Sequence, residues 1–346
     1  MIWIRADANK EIGSGHVMRC LSIAEALREC GEEVCFIVAD EAAGVLLSQK
    51  GQCFQVLHTT YNQMEAELPI LLELLEREAP KLLLLDSYFV TEAYLQKLRE
   101  YVKVAYLDDI PRFAYPVDML INYNIYGDAL PYRETAAVEG QKLLLGPSYA
   151  PLRRQFREVI YEVGSKAEHI LITTGGSDKY NLAGQILGAV LSCEETADLH
   201  YHVVSGAFNP HLPDLQVLAE EHKNVHLYSN VADMAGLMRQ CDIAITAGGS
   251  TTYELCAIGV PFICFSFVDN QELIVENFYK KQLVAYGGNF LTEGEQFAAN
   301  VLQALLTLLE SKALRQEYSS RERLLVDGQG AVRIAMELKR LADESN

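Results

Sequence analysis

Three short apolar runs in this chain each end in a loop of small residues that opens a helix, and few folds accommodate that junction more than once. Ile2-Trp3-Ile4 leads through a polar loop into Gly13-Ser14-Gly15-His16. His169-Ile170-Leu171-Ile172-Thr173 leads into Thr174-Gly175-Gly176-Ser177-Asp178, and Ile243 to Thr246 into Ala247-Gly248-Gly249-Ser250-Thr251-Thr252. In α/β sheets ligands are held at such carboxyl ends of strands. Glycine lets a backbone approach a ligand closely. Unpaired amides at a helix start attract anionic or oxygen-rich groups, so a diphosphate can be held without lysines. The full dinucleotide fingerprint is absent from the first loop, because Met18 stands where its third glycine would fall.

The rest of the chain keeps the same rhythm. Val17, Cys20, Leu21, Ala24 and Leu27 recur at helical spacing, and Gly31 should end that helix. Val34 to Val38, Phe54 to Leu57, Leu82 to Leu85, Val104 to Leu107, Leu120 to Asn124 and Lys142 to Leu145 predict strands, with helices over Leu68 to Arg77 and Glu92 to Tyr101. After Gly146 the chain turns proline-rich and charged up to about Lys166, which predicts a domain boundary. The second half restarts with the strand at His169 and helices near Asn181 to Leu191 and Val231 to Arg239. Its strands include Tyr201 to Val204, Val225 to Leu227 and Pro261 to Phe265.

A length of 346 residues suits two domains, each with its own core. The expected division is 1–150, 151–329 and a terminal helix in 330–346 that crosses back to the first domain, with a cleft between the halves. The 29 basic against 47 acidic residues leave a net charge of −18. That balance argues against duplex nucleic acid and anionic membrane as partners. The eight cysteines form no C-x-x-C pair, as expected of reduced thiols in a cytoplasmic protein with no structural zinc. The N-terminus shows no signal-peptide pattern, and no run is long enough to span a bilayer.

His16 is the candidate catalytic base, since an imidazole at a glycine loop can take a proton from water near neutral pH. The alternative is a histidine that merely caps or packs at a helix start. Arg5, Asp7, Asn9 and Arg19 supply polar company. Asp86 and Asp108, each at a strand end, are the candidates to orient the imidazole or meet ligand hydroxyls; each could equally cap its own turn. Glu254, one turn into its helix, could reach a diol beside the phosphates or simply favour the helix dipole. His200 and His202 share a strand face without an evident third ligand, so no metal site is expected.

Over nearly its whole length the chain resembles the PseG/SpsG family of UDP-2,4-diacetamido-2,4,6-trideoxy-β-L-altropyranose hydrolases. The likeness rests on Arg5-Ala6-Asp7, Ile12 to His16, Leu107-Asp108-Asp109, Asn122-Tyr123-Asn124, Gly146 to Arg153, Thr174 to Asp178 and Ala247 to Ser250. It implies a GT-B architecture of two Rossmann-like domains, related to MurG-type glycosyltransferases. It also implies that His16 deprotonates a water, which displaces UDP from the anomeric carbon with inversion and without a cofactor.

The two glycine-serine loops offer Gly175, Gly176, Ser177, Gly248 and Thr251 to the nucleotide, and the likeness adds Gly249, Ser250 and Glu254, the last as the ribose partner. Arg5, Asp7, Gly13, Gly15, Arg19, Tyr88, Asn122, Asn270 and Gln271 fall to the remainder of the substrate. Ser87 departs from the pattern of some members, which carry a histidine after the aspartate. Alternative readings are a glycosyltransferase with the same donor, a hydrolysing 2-epimerase, and a non-catalytic nucleotide-sugar binder. Oligomeric state is not legible.

Overall fold

The computed structural model describes residues 1–206 and 209–344. The chain divides into two compact units, 1–153 with 329–346, and 154–328. The first begins with β1 (Ile2–Ala6), α1 (Gly15–Glu29), β2 (Val34–Val38), α2 (Glu41–Gln49) and β3 (Phe54–Val56). It continues with α3 (Met64–Glu78), β4 (Leu82–Asp86), α4 (Glu92–Arg99), β5 (Lys103–Leu107), β6 (Met119–Asn122) and β7 (Lys142–Leu145).

These strands form one parallel sheet in the order β3-β2-β1-β4-β5-β6-β7. Its central strands are buried at every position, which explains why Leu82-Leu83-Leu84-Leu85 is an uninterrupted apolar run: helices cover both faces. The order reverses between β1 and β4, and the loops that leave this pair of strands open the crevice where doubly wound sheets bind ligands.

The second unit contains β8 (His169–Thr173), α5 (Leu182–Leu191), β9 (His200–Ser205), α6 (Leu212–Glu221), β10 (Val225–Ser229), α7 (Met234–Arg239), β11 (Ile243–Ala247) and α8 (Ser250–Ile258). There follow β12 (Phe262–Ser266), α9 (Asp269–Lys280), β13 (Ala285–Asn289), α10 (Phe290–Glu293), α11 (Phe297–Glu310) and α12 (Lys312–Leu325). Its parallel sheet runs β10-β9-β8-β11-β12-β13, with the reversal between β8 and β11. Both glycine-serine loops of this half therefore leave the two strands at the switch point.

The terminal helix, α13 (Gly330–Asp343), packs on α1 and belongs to the first unit. Its buried stripe, Ala331, Ile334, Ala335, Leu338 and Leu341, recurs every three to four residues. Gly330 lies so close to the Ala150 backbone that a Cβ there would sit 2.1 Å from its carbonyl oxygen, which is why the helix can begin only with glycine.

The helix expected from Leu68 starts earlier, at Met64, and its buried face is Met64, Glu67, Leu71 and Leu75. A carboxylate on that apolar stripe needs a buried partner, and Arg5 supplies it.

Candidate functional site

The loop after β1 is tied to itself before it reaches the helix. The Asn9 side-chain oxygen accepts from Glu11 N and Ile12 N at 2.9 and 3.0 Å, and the backbones of Asn9 and Gly13 bond to each other. Gly13 closes this turn at φ +73°, in the left-handed region that side chains disfavour. α1 then starts without a side-chain cap and without an acid in its first turn.

His16 sits in that first turn, almost fully buried. Its Nδ1 lies 2.5 Å from Oδ1 of Asp86, the last residue of β4, so the helix that follows β1 and the end of β4 each supply one half of the pair. The Tyr88 ring meets the imidazole edge-on at 4.5 Å between centroids.

Arg19 lies one turn further on the same helix face. Its Nε and Nη2 donate to the two oxygens of Asp86, both at 2.6 Å. Its Nη1 donates to Asp109 at 3.1 Å and to the Tyr123 hydroxyl at 3.0 Å. Asp109 in turn accepts from Tyr88 Oη at 2.7 Å and from Asn124 Nδ2 at 3.0 Å.

Burial alone would push Asp86 and Asp109 upward. For Asp86 the Arg19 guanidinium, with His16 beside it, prevails and holds the carboxyl well below the usual range; for Asp109 Arg19 and the Tyr88 hydroxyl lower it likewise. Both carboxylates are therefore ionised at neutral pH. A carboxylate on Nδ1 fixes the imidazole so that Nε2 is the nitrogen left to exchange a proton.

Of the two aspartates that could orient the imidazole, the structure selects Asp86. Asp108 faces the other way, accepting from Tyr132 Oη at 2.6 Å and Tyr115 Oη at 3.1 Å, and burial raises its carboxyl above the ordinary value.

Three residues expected against substrate lie behind the site instead. Arg5 has no exposed surface: its Nε and Nη2 bind both oxygens of Glu67, and its Nη1 binds Asp7. Asp7 spends its other oxygen on Ala39 N at 2.8 Å, and Tyr94 Oη adds a bond to Glu67. Asn122, also fully buried, donates to the Asp109 carbonyl and the Tyr132 hydroxyl and accepts from Asn124. These buried charged and amide groups bond to one another and to their neighbours and so brace the strand ends. Tyr88 is 44% exposed, and a Cβ at Gly15 would meet open space, so these two positions do face outward.

In the second unit the two glycine-serine loops differ. The start of α5 is filled by its own chain: buried Asp178 accepts from Leu182 N at 2.7 Å and Ala183 N at 2.9 Å. Gly175, Gly176 and Ser177 are exposed above that closed helix end.

At α8 the N-cap is Gly249, which makes no side-chain cap. A Cβ there would meet nothing, whereas one on Gly248 would strike Val275 at 2.5 Å, so Gly248 is needed for packing and Gly249 for access. Ser250 is exposed, Thr251 and Glu254 half-buried on this helix. Gln271 is partly committed, its side-chain oxygen accepting from Phe267 N, while Asn270 is exposed.

The two imidazoles of β9 are joined by two more. His169 Nδ1 is 3.0 Å from His202 Nε2, and His226 stacks on His200 across adjacent strands. Burial, with the neighbouring imidazoles, pushes His202 down to about 4. No group of three or more His, Cys, Asp or Glu side chains among the described residues is arranged to hold a metal ion. No helix among them is long and apolar enough to cross a membrane.

Motif reading gave no role of their own to Glu67, Asp109, Tyr123 and Asn124, although the last three stand inside quoted motifs. Glu67 was visible as a carboxylate on an apolar stripe. The other three lay beside named positions at strand ends, and only the folded register separates Asp109 from Asp108.

Residues 169–336 match the glycosyltransferase family 28 C-terminal domain. The chain is 27% identical over 351 residues to the spore coat polysaccharide biosynthesis protein SpsG of Bacillus subtilis, covering 99% of each chain. It is 25% identical over 273 residues to the UDP-2,4-diacetamido-2,4,6-trideoxy-beta-L-altropyranose hydrolase of Campylobacter jejuni, covering 78% of this chain and 93% of that one. Among solved structures, MurG of Acinetobacter baumannii superposes with a TM-score of 0.69 at 13% identity, covering 98% of this chain and 99% of that one. With its two parallel-sheet Rossmann-like units, the chain is a homologue of the PseG/SpsG proteins built on the MurG-like GT-B fold.

Proposed function

We propose that the protein hydrolyses a UDP-linked diacetamido-trideoxy sugar to the free sugar and UDP, as a step in the biosynthesis of a pseudaminic-type acid. The observation that carries this reading is the His16–Asp86 pair at the switch point of the first sheet. A buried, permanently ionised carboxylate on Nδ1 prepares Nε2 to take a proton from a water molecule. As that proton arrives, Arg19 and the imidazolium together balance Asp86 and Asp109, so the buried cluster gains no uncompensated charge.

The activated water attacks the anomeric carbon from the face opposite the nucleotide, and the C–O bond to the diphosphate breaks with inversion. UDP leaves as an anion, and the uncapped start of α8, with Gly249, Ser250 and Thr251, supplies amides and hydroxyls suited to its phosphates. Glu254 serves the ribose diol. The Gly175–Ser177 loop, whose helix end is already occupied by Asp178, contributes to the nucleotide through its own backbone, and Asn270 and Gln271 serve the phosphate or sugar. Tyr88, Gly13 and Gly15 border the water and sugar, with Arg19 behind them. The name of the relative from Campylobacter jejuni supports the substrate class. The chemistry belongs to a soluble, cytoplasmic enzyme with no metal requirement.

A transferase reading is favoured by the family 28 domain match and the glycosyltransferase neighbours of the fold. Acceptor dependence separates the two. UDP release from the diacetamido-trideoxy sugar nucleotide, with no acceptor present, is expected from the wild type and lost in His16→Ala. Release only on adding an acceptor would establish the transferase instead.

A further inference from the structure

β2 and β3 form the outer edge of the first sheet, and their register sets two cysteines side by side. Phe36 pairs with Phe54, so Cys35 and Cys53, one residue before each, are neighbours, and Phe36 N donates to the Cys53 carbonyl at 2.9 Å. Neighbouring strands lie about 4.8 Å apart, within the Cα separation a disulfide spans. Both side chains point to the same side, and the two Sγ atoms are 2.8 Å apart, well inside the contact distance of two unbonded sulfurs. One thiol is exposed and the other buried: Cys53 faces solvent, while Cys35 is 2% accessible against the core under α3.

We infer that Cys35 and Cys53 are a reversible thiol–disulfide site whose oxidant is a low-molecular-weight disulfide of the glutathione type. The exposed Cys53 thiolate attacks one sulfur of the reagent, and the other half leaves as a thiolate. Cys35 gives its proton to that thiolate and attacks Cys53 Sγ, and the second half leaves as a thiolate that takes up the proton Cys53 had given to water. The balance is one protein dithiol and one reagent disulfide giving one protein disulfide and two reagent thiols; two electrons pass from the cysteines to the reagent.

Burial raises Cys35 to about 12, with the Cys53 sulfur and Glu78 contributing, so the resolving step is slow at neutral pH and quickens as pH rises. The product would staple the edge strand β3, which is only three residues long, to β2. The site is independent of the function proposed above.

The test is peptide mapping of the native full chain, without reduction, after incubation with oxidised glutathione until half-buried Cys30 and Cys193 have reacted. The expected product is a Cys35–Cys53 cross-linked peptide lacking two hydrogens, reversed by dithiothreitol, with a higher unfolding midpoint than the reduced protein. Cys53→Ser should abolish both the cross-link and the rise in midpoint, and Cys35→Ala should leave a lasting glutathione adduct on Cys53. A lasting adduct on Cys53 in the wild type, or both thiols still free once Cys30 and Cys193 have been modified, would overturn the assignment.

Discussion

His16 and Asp86 stand seventy positions apart in the chain and 2.5 Å apart in space, because β1 and β4 are the adjacent strands at which the first sheet reverses its order. Arg19 binds the same carboxylate from one helical turn away, so Asp86 holds both the imidazole and the guanidinium. If Asp86 orients the base, Asp86→Asn keeps the shape but exchanges a carboxylate for an amide that can present the wrong hydrogen-bonding group to Nδ1. kcat for UDP release should fall on the order of 1,000-fold, with KM changing little. An unchanged kcat would remove Asp86 from the chemistry.

The bidentate Arg5–Glu67 pair predicts the opposite pattern. Glu67→Gln leaves the guanidinium in a fully buried position with half its ionic partners, which should cost about 3 kcal/mol of stability. Urea unfolding monitors that cost, and KM at a temperature where the variant is folded should stay within a few-fold of the wild type. A selective rise in KM at full stability would return Arg5 and Glu67 to the binding surface.

Acid stability follows from three groups. Asp86 and Asp109 are held below their unfolded values, so their ionic contribution is complete above pH ~4 and is lost as pH falls through their folded values. His202 is held down to about 4, whereas an unfolded histidine protonates near 6.5. Its contribution is complete above pH ~6.5 and drains away between there and pH 4, on the order of 2 kcal/mol once partial solvent access is allowed for. His202→Gln should therefore flatten the fall in unfolding free energy over pH 6.5 to 4. A curve as steep as the wild type's would contradict the shift.

The two glycine-serine loops should respond differently to substitution. Gly249→Ala places a methyl where the structure is open, so stability is kept while UDP affinity drops roughly tenfold, as measured by calorimetry. Asp178→Ala uncaps α5 at a cost of about 1 kcal/mol, with a smaller effect on UDP.

Much of this was legible in the amino-acid order. The strands of both sheets announce themselves as apolar runs because helices cover both faces, and the glycine loops fall where each sheet reverses. β13 was hidden, since Ala285-Tyr286-Gly287-Gly288-Asn289 carries two glycines and no β-branched residue. At the site, His16 was legible from its loop, but the choice between Asp86 and Asp108 was not: both follow strand ends, and the decision lies with Tyr115 and Tyr132, which claim Asp108. The burial of Arg5, Asp7 and Asn122 was not legible, because polar residues at a strand tip look the same in sequence whether they face a ligand or brace one another.

Water is the proposed nucleophile at the anomeric carbon, and turnover in oxygen-18 water shows where its oxygen goes. With the UDP-linked diacetamido-trideoxy sugar and no acceptor, the label should enter the anomeric hydroxyl of the released sugar, UDP should stay unlabelled, and His16→Ala should release neither. Label in a phosphate oxygen, or no sugar released until an acceptor is supplied, would rule out attack of water at the anomeric carbon.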